Sequence, residues 1–184
     1  ARELVLHRPR LLSRGPVRGA DLLARAHASG RGVLVTYCHL GPFPALGVTL
    51  AAFVPDVFTV GGAWIADPPP GIPQPPRRDR WRAIFDAAGV RLVNAESGGG
   101  ERIRELLGAG EVVSMTFDWP GSVETPFLGR PTWLASGTAR LTTETGALVL
   151  PAMRRWRRGL PETVIAPPLD PRDFRDWRAL HERI

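Results

Sequence analysis

The chain has 184 residues, 43% apolar and 23% charged, a balance expected of one globular domain over 1–184 and foreign to a disordered tail, a collagen-like repeat or a disulfide-stapled miniprotein. All of its 24 basic residues are Arg, and they outnumber 18 acidic residues for a net charge of +6 that does not titrate near neutrality. Cys38 is the lone cysteine, which excludes an internal disulfide and thiolate-rich zinc sites.

Residues 1–16 are basic and without period, and Asp21 to Ala28 reads as a short helix stopped by Gly30 and Gly32. Val33-Leu-Val-Thr-Tyr-Cys38 is a continuous apolar run, the mark of a strand covered on both faces in a parallel sheet. His39-Leu-Gly-Pro-Phe-Pro44 then opens a helix from Ala45 to Val54, with a proline in its first turn. Val57 to Val60 is the second strand. Residues 61–78 carry six prolines and are expected to form an irregular loop. Asp79 caps a helix from Arg80 to Ala88, closed by Gly89, and Val90 to Val93 is a strand.

Ser97-Gly-Gly-Gly100 leads into a helix from Glu101 to Leu107, and Val112 to Phe117 is a further buried strand that ends at Asp118. Trp119 to Trp133 is expected to be a loop, followed by a helix from Ser136 to Thr145. Ala147 to Leu150 reads as a strand, with Ala152 to Trp156 and Thr163 to Ala166 as two more, and Asp170-Pro-Arg-Asp begins a final helix. This alternation implies an α/β fold: one largely parallel or mixed central sheet with helices on both faces. No apolar run approaches the ~20 residues of a membrane span. The start lacks a signal-peptide pattern and the end stops inside a helical pattern. A piece trimmed at one or both ends is expected, cytoplasmic or held at a membrane surface.

In open α/β sheets, ligands gather beyond the carboxyl ends of the strands. Two polar residues fall there, His39 after the first strand and Asp118 after the Val112–Phe117 strand. A neutral imidazole accepts a proton from a hydroxyl near pH 7, and a carboxylate fixes its tautomer and stabilises the imidazolium. The plainer alternatives are a histidine that caps the turn and an aspartate that belongs to the turn before Pro120-Gly121.

Three blocks fit a known pattern in order and spacing. They are Gly30-Arg-Gly-Val-Leu-Val-Thr-Tyr-Cys-His-Leu-Gly41, Gly110-Glu-Val-Val-Ser-Met-Thr-Phe-Asp118 with Pro126-Phe-Leu-Gly-Arg-Pro131, and Ala135-Ser-Gly-Thr-Ala-Arg-Leu141 with Thr145-Gly-Ala-Leu-Val-Leu-Pro151. Together they resemble the lipid A biosynthesis acyltransferases and the actinobacterial phosphatidylinositol mannoside acyltransferases of the lysophospholipid acyltransferase superfamily. The resemblance implies transfer of an acyl group from a coenzyme A or acyl carrier protein thioester to a hydroxyl or amine, with His39 as base of an H-x-x-x-x-[DE] motif. The acidic position of that motif is Pro44 here, which neither orients an imidazole nor holds a charge. The basic residue that the family carries after the second strand is also missing from Val60-Gly-Gly-Ala-Trp-Ile-Ala-Asp67. Asp118, or secondarily Glu124, is the candidate replacement acid. Arg77 and Arg130 are the candidate replacement cations, with Gly129–Arg130 placed near the acceptor.

Other signals are weaker. Ser97 to Gly100 has neither the Lys-Ser/Thr of a phosphate-binding loop nor a dinucleotide spacing. Cys38 is expected in the core, its side chain opposed to that of His39. Arg154-Arg-Trp-Arg-Arg158 would suit an anionic lipid or a carrier protein; no nucleic-acid motif accompanies it. Trp64, Trp119 and Trp133 either line an apolar pocket, press on a membrane or pack under loops. The four histidines show no metal-ligand spacing, so neither a metal nor a bound cofactor is expected. The expected partners are a small-molecule or lipid substrate and a carrier protein or partner chain. Two rival readings keep the fold: a rewired homologue acting on a small or carrier-tethered substrate by cyclisation or displacement, and a non-catalytic homologue that binds lipid or supports a partner.

Overall fold

A computed structural model describes residues 15–66, 71, 76–96 and 98–184; the side chains of Trp64, Pro76 and Arg77 are not among the described parts. Nine strands are described: β1 Val17–Arg18, β2 Val33–Tyr37, β3 Val57–Gly61, β4 Val90–Asn94, β5 Val112–Thr116, β6 Pro120–Phe127, β7 Arg130–Leu134, β8 Leu148–Arg157 and β9 Leu160–Ile165. The helices are α1 Ala20–Ala28, α2 Leu46–Leu50, α3 Ala63–Ala66, α4 Pro76–Ala87, α5 Gly99–Gly108, α6 Gly137–Thr145 and α7 Trp177–Arg183. Short 3₁₀ turns cover Phe43–Ala45 and Pro171–Asp173.

Seven strands form one sheet in the order β1-β9-β8-β2-β5-β3-β4, and β6 and β7 form a separate hairpin. Every pairing in the large sheet is parallel except β8 with β9. The fold class is therefore α/β with a mostly parallel sheet. All five residues of β2 are buried, which is why its sequence is apolar without alternation. On one face Val33, Val35, Val57 and Val112 pack with Leu23 of α1 and with Leu46 and Leu50 of α2. On the other, Leu34, Phe58, Val93 and Val113 meet Ile103, Leu106 and Leu107 of α5 and Leu141 of α6.

Several sequence-based boundaries change. The expected loop after Trp119 is the β6–β7 hairpin, turned at Leu128 and Gly129, both at positive φ (51° and 77°) as a tight two-residue hairpin turn requires. Its prolines mask it in the sequence, because Pro is foreign to central strands; a two-stranded ribbon consists of edges and accepts them. Ala147–Leu150 and Ala152–Trp156 are one strand, β8. Pro151 stands at the last pair of the β2–β8 ladder, opposite Thr36, so its missing N–H interrupts nothing. The Pro-rich stretch is shorter than 61–78: α3 occupies Ala63–Ala66, and α4 begins at Pro76, a position where proline lacks nothing the helix needs. Asp79 consequently sits in the first turn of α4. The final helix starts at Trp177, capped by Asp176, whose carboxylate accepts the Ala179 N–H at 2.9 Å.

Candidate functional site

The strand register brings the two candidate residues together. Tyr37 of β2 lies opposite Thr116 of β5, and the Phe117 N–H donates to the Tyr37 carbonyl at 3.0 Å. Two residues further on each chain stand His39 and Asp118. They are 79 positions apart in sequence, yet the Asp118 carboxylate accepts the His39 backbone N–H at 2.8 Å and meets Nδ1 of its ring at 2.8 Å. An ionised carboxylate only accepts, so Nδ1 carries the proton and Nε2 is left as an acceptor. The ring is held further by edge contacts with Phe43 and Trp119, at centroid distances of 4.8 and 5.4 Å. Side-chain exposure is 39% for His39 and 17% for Asp118, so the pair stands at the surface with its acid partly covered.

His39 lies on the wall of a cavity of about 330 Å³ at the carboxyl edge of the sheet. That is near the lower end of the ~300–1,000 Å³ range typical of ligand pockets. Its walls are mainly apolar: Phe43, Pro44, Ile65, Trp81, Phe85 and Leu92, with Trp119 beside His39. Trp81 and Phe85 are one helical turn apart on α4 and stack at 5.6 Å. Pro44, at the family motif's acidic position, belongs to this apolar wall, and the carboxylate arrives instead from the neighbouring strand. Gly61 and Gly62, in the stretch after β3 that carries no basic residue, also line the cavity.

Four hydroxyl residues underlie the apolar walls. Tyr37, Thr59 and Thr116 line the cavity, and Thr59 Oγ1 bonds Ser114 Oγ at 2.9 Å. Burial pushes the Tyr37 phenol up to about 12; the hydrogen bond to Ser114 opposes the shift, and the Asp118 charge adds to it. Burial and the same Asp118 charge also raise the Cys38 thiol, which is half-buried and not a core residue as expected. A raised pKa keeps that thiol protonated, unlike a nucleophilic cysteine.

The remaining candidates lie elsewhere. Glu124, on β6, lines a separate cavity with Arg178, His181 and Glu182, away from His39. Gly129 and Arg130 are exposed at the hairpin turn and do not line the His39 cavity. Arg77 is in α4, but its side chain is outside the described parts, as is that of Trp64; Ser97 lies outside the described residues. Tyr37, Thr59, Trp81 and Phe85 were not singled out from sequence. Period-2 placement of Tyr37 with His39 was the available signal.

The rim has its own character. Leu40, Trp119, Leu128, Trp133, Met153, Trp156 and Leu160 are exposed, and all belong to segments beyond the carboxyl edge; Phe53 is exposed at the opposite edge. Arg155 and Arg157 are on the same β8–β9 hairpin, anchored by Glu162 at 2.9 and 3.1 Å. Among the described residues no helix is long and apolar enough to cross a membrane, and no group of three or more His, Cys, Asp or Glu is placed to hold a metal.

No protein-family model matches the sequence. No curated protein matches it either. Among solved structures, the fold is similar to that of the 1-acyl-sn-glycerophosphate (LPA) acyltransferase PlsC from Thermotoga maritima, with a TM-score of 0.53 and 15% sequence identity. The match covers 91% of this chain and 66% of that one, so the chain spans just under two thirds of PlsC's length. Likeness at that identity establishes an acyltransferase-like fold.

Proposed function

We propose that the chain is an acyltransferase-like enzyme that moves a short acyl group from a thioester to a hydroxyl or amine, with His39 as base and Asp118 as the residue that orients it. The observation that carries this reading is the double contact between Asp118 and His39 at the mouth of an apolar cavity. With Nδ1–H given to Asp118, Nε2 accepts the proton of the acceptor group as its oxygen or nitrogen bonds to the thioester carbon. As the tetrahedral intermediate collapses, the carbon–sulfur bond breaks and the proton on Nε2 passes to the departing thiolate. The imidazolium that exists between these steps is stabilised by the Asp118 carboxylate.

The acyl portion occupies the cavity formed by Phe43, Ile65, Trp81 and Phe85. The donor is a diffusible coenzyme A or acyl carrier protein thioester. The apolar and arginine-bearing rim is the proposed contact for a carrier protein or for a membrane that supplies a lipid acceptor. The fold likeness to a protein described as an LPA acyltransferase supports the reaction class.

A second reading is favoured by the small cavity and by the glycines that replace the family's cation. It is a rewired homologue acting on a small or carrier-tethered substrate, with the same pair as base. The test is to incubate the protein with butanoyl to dodecanoyl coenzyme A and a panel of alcohols and amines, following thiol release and product mass. Acylated product that His39→Ala fails to make supports acyl transfer. Loss of substrate mass without acyl transfer supports the rewired reaction, and no turnover with any thioester supports a non-catalytic homologue.

A further inference from the structure

The depths of the His39 cavity are not uniformly apolar. Thr59 lies opposite Ser114, which lies opposite Val35, four residues before His39 along β2. At ~3.3 Å per residue this places Thr59 roughly 13 Å along the strands from the imidazole. The Thr59 hydroxyl bonds Ser114 Oγ at 2.9 Å, and Tyr37 stands two residues along β2 from Val35, the residue opposite Ser114, on the same face of the sheet. Tyr37, Thr59 and Ser114 are all buried. Above Thr59, α2 comes so close at Gly47 that a Cβ there would collide with the Thr59 hydroxyl.

Thr59 and Ser114 hold two O–H protons, and the link between them uses one, while Tyr37 and Thr116 bring further hydroxyls to the cavity wall. One donor of the Thr59–Ser114 pair is left. If it were that of Ser114, a fully buried group away from the cavity wall would be unsatisfied, which is the costlier arrangement. The spare donor of the pair therefore belongs to Thr59, which lines the cavity together with Tyr37 and Thr116. Burial holds Tyr37 protonated at every physiological pH, so it is a permanent donor and never an anion. A plain alkyl chain reaching this depth leaves that donor unpaired, whereas an oxygen atom accepts from it.

We propose that the cavity selects a short acyl group bearing a hydroxyl or carbonyl oxygen near its far end, read by the Tyr37–Ser114–Thr59 hydroxyl cluster. The inference rests on the acyl-transfer reading for which end of the substrate meets His39. Its recognition chemistry is separate from turnover and is measured by binding.

The experiment titrates the whole protein with octanoyl pantetheine thioester and with its ω-hydroxy counterpart, followed by the fluorescence of Trp81 and Trp119. The ω-hydroxy thioester is expected to bind about tenfold more tightly, the discrimination worth roughly one well-made hydrogen bond. Thr59→Val, which keeps the shape and removes the hydroxyl, should bring that ratio close to one. Tyr37→Phe provides the same test if the valine variant fails to fold. Equal affinities in the unaltered protein, a preference for the plain chain, or a ratio that survives in both variants would overturn the proposal. Selective binding without turnover leaves it standing and removes the acyl-transfer reading; turnover without selectivity does the reverse.

Discussion

Asp118 and Glu162 are two carboxylates near the carboxyl end of the same sheet, and their surroundings differ sharply. Glu162 is 1% exposed and is gripped by three guanidiniums, those of Arg18 at 3.1 Å, Arg155 at 2.9 Å and Arg157 at 3.1 Å. The arginines, Arg155 foremost, hold its carboxyl below the usual range. Among the described residues Asp118 has one side-chain partner, an imidazole whose second nitrogen is unused by the pair. A carboxylate with more cations than it needs is locked in one arrangement and serves the fold. A carboxylate with one titratable partner at a cavity mouth leaves that partner ready for chemistry. The contrast separates scaffold from site where burial or charge alone does not.

The sharpest way to break that contrast is His39→Ala. Thiol release from a coenzyme A thioester should fall about a thousandfold, with Tm unchanged because the side chain is well exposed. Asp118→Asn should follow, at about a hundredfold. The amide donates to Nδ1 as readily as it accepts, which places the proton on Nε2 where the acceptor's proton must go. If the rate survives Asp118→Asn while His39→Ala abolishes it, Asp118 has no part in the reaction. Glu162→Gln is the opposite case: it should lower Tm by several degrees in a thermal melt, because three arginines lose a shared counter-charge, while turnover changes less than with Asp118→Asn.

Acid sharpens the comparison at a third carboxylate. Arg31, at 2.6 and 2.9 Å, and then Arg172 hold the Asp170 carboxyl well below its ordinary value. In the pH range below ~3.9 but above that lowered pKa, the unfolded chain binds the proton that the folded chain refuses. The stabilisation is complete above the unfolded pKa and fades as pH falls toward the folded one. Asp170→Asn should therefore flatten the loss of Tm between pH 4 and pH 2 (roughly that interval) in an acid titration. The smallest effect expected is that of Leu128→Ser: Tm within experimental scatter, with weaker retention on anionic vesicles if the rim meets a membrane.

Much of the sheet was legible because parallel strands write themselves as unbroken apolar runs, and Val33–Tyr37 and Val112–Thr116 sit within a residue of where the sequence places them. The β6–β7 hairpin was hidden because Pro120, Pro126 and Pro131 argue against strand by a rule that applies to central strands, not to a free ribbon. The candidates His39 and Asp118 were legible as two polar residues ending two strands. Their contact was not, since it depends on β2 and β5 being neighbours, which no local pattern reports. Glu124 was the secondary candidate in sequence. The hairpin carries it to α7, where it shares a cavity with His181. The hydroxyl cluster stayed invisible for a related reason: Tyr37, Thr59 and Ser114 come from three strands and meet only through the sheet order.

That order has a temporal side. β5 enters between β2 and β3, both made far earlier, so a ribosome that has finished α5 has released an imidazole with no acid to steer it and a wall with a missing plank. Until that late strand threads between them, neither the Asp118 contact to His39 nor the Ser114 contact to Thr59 exists.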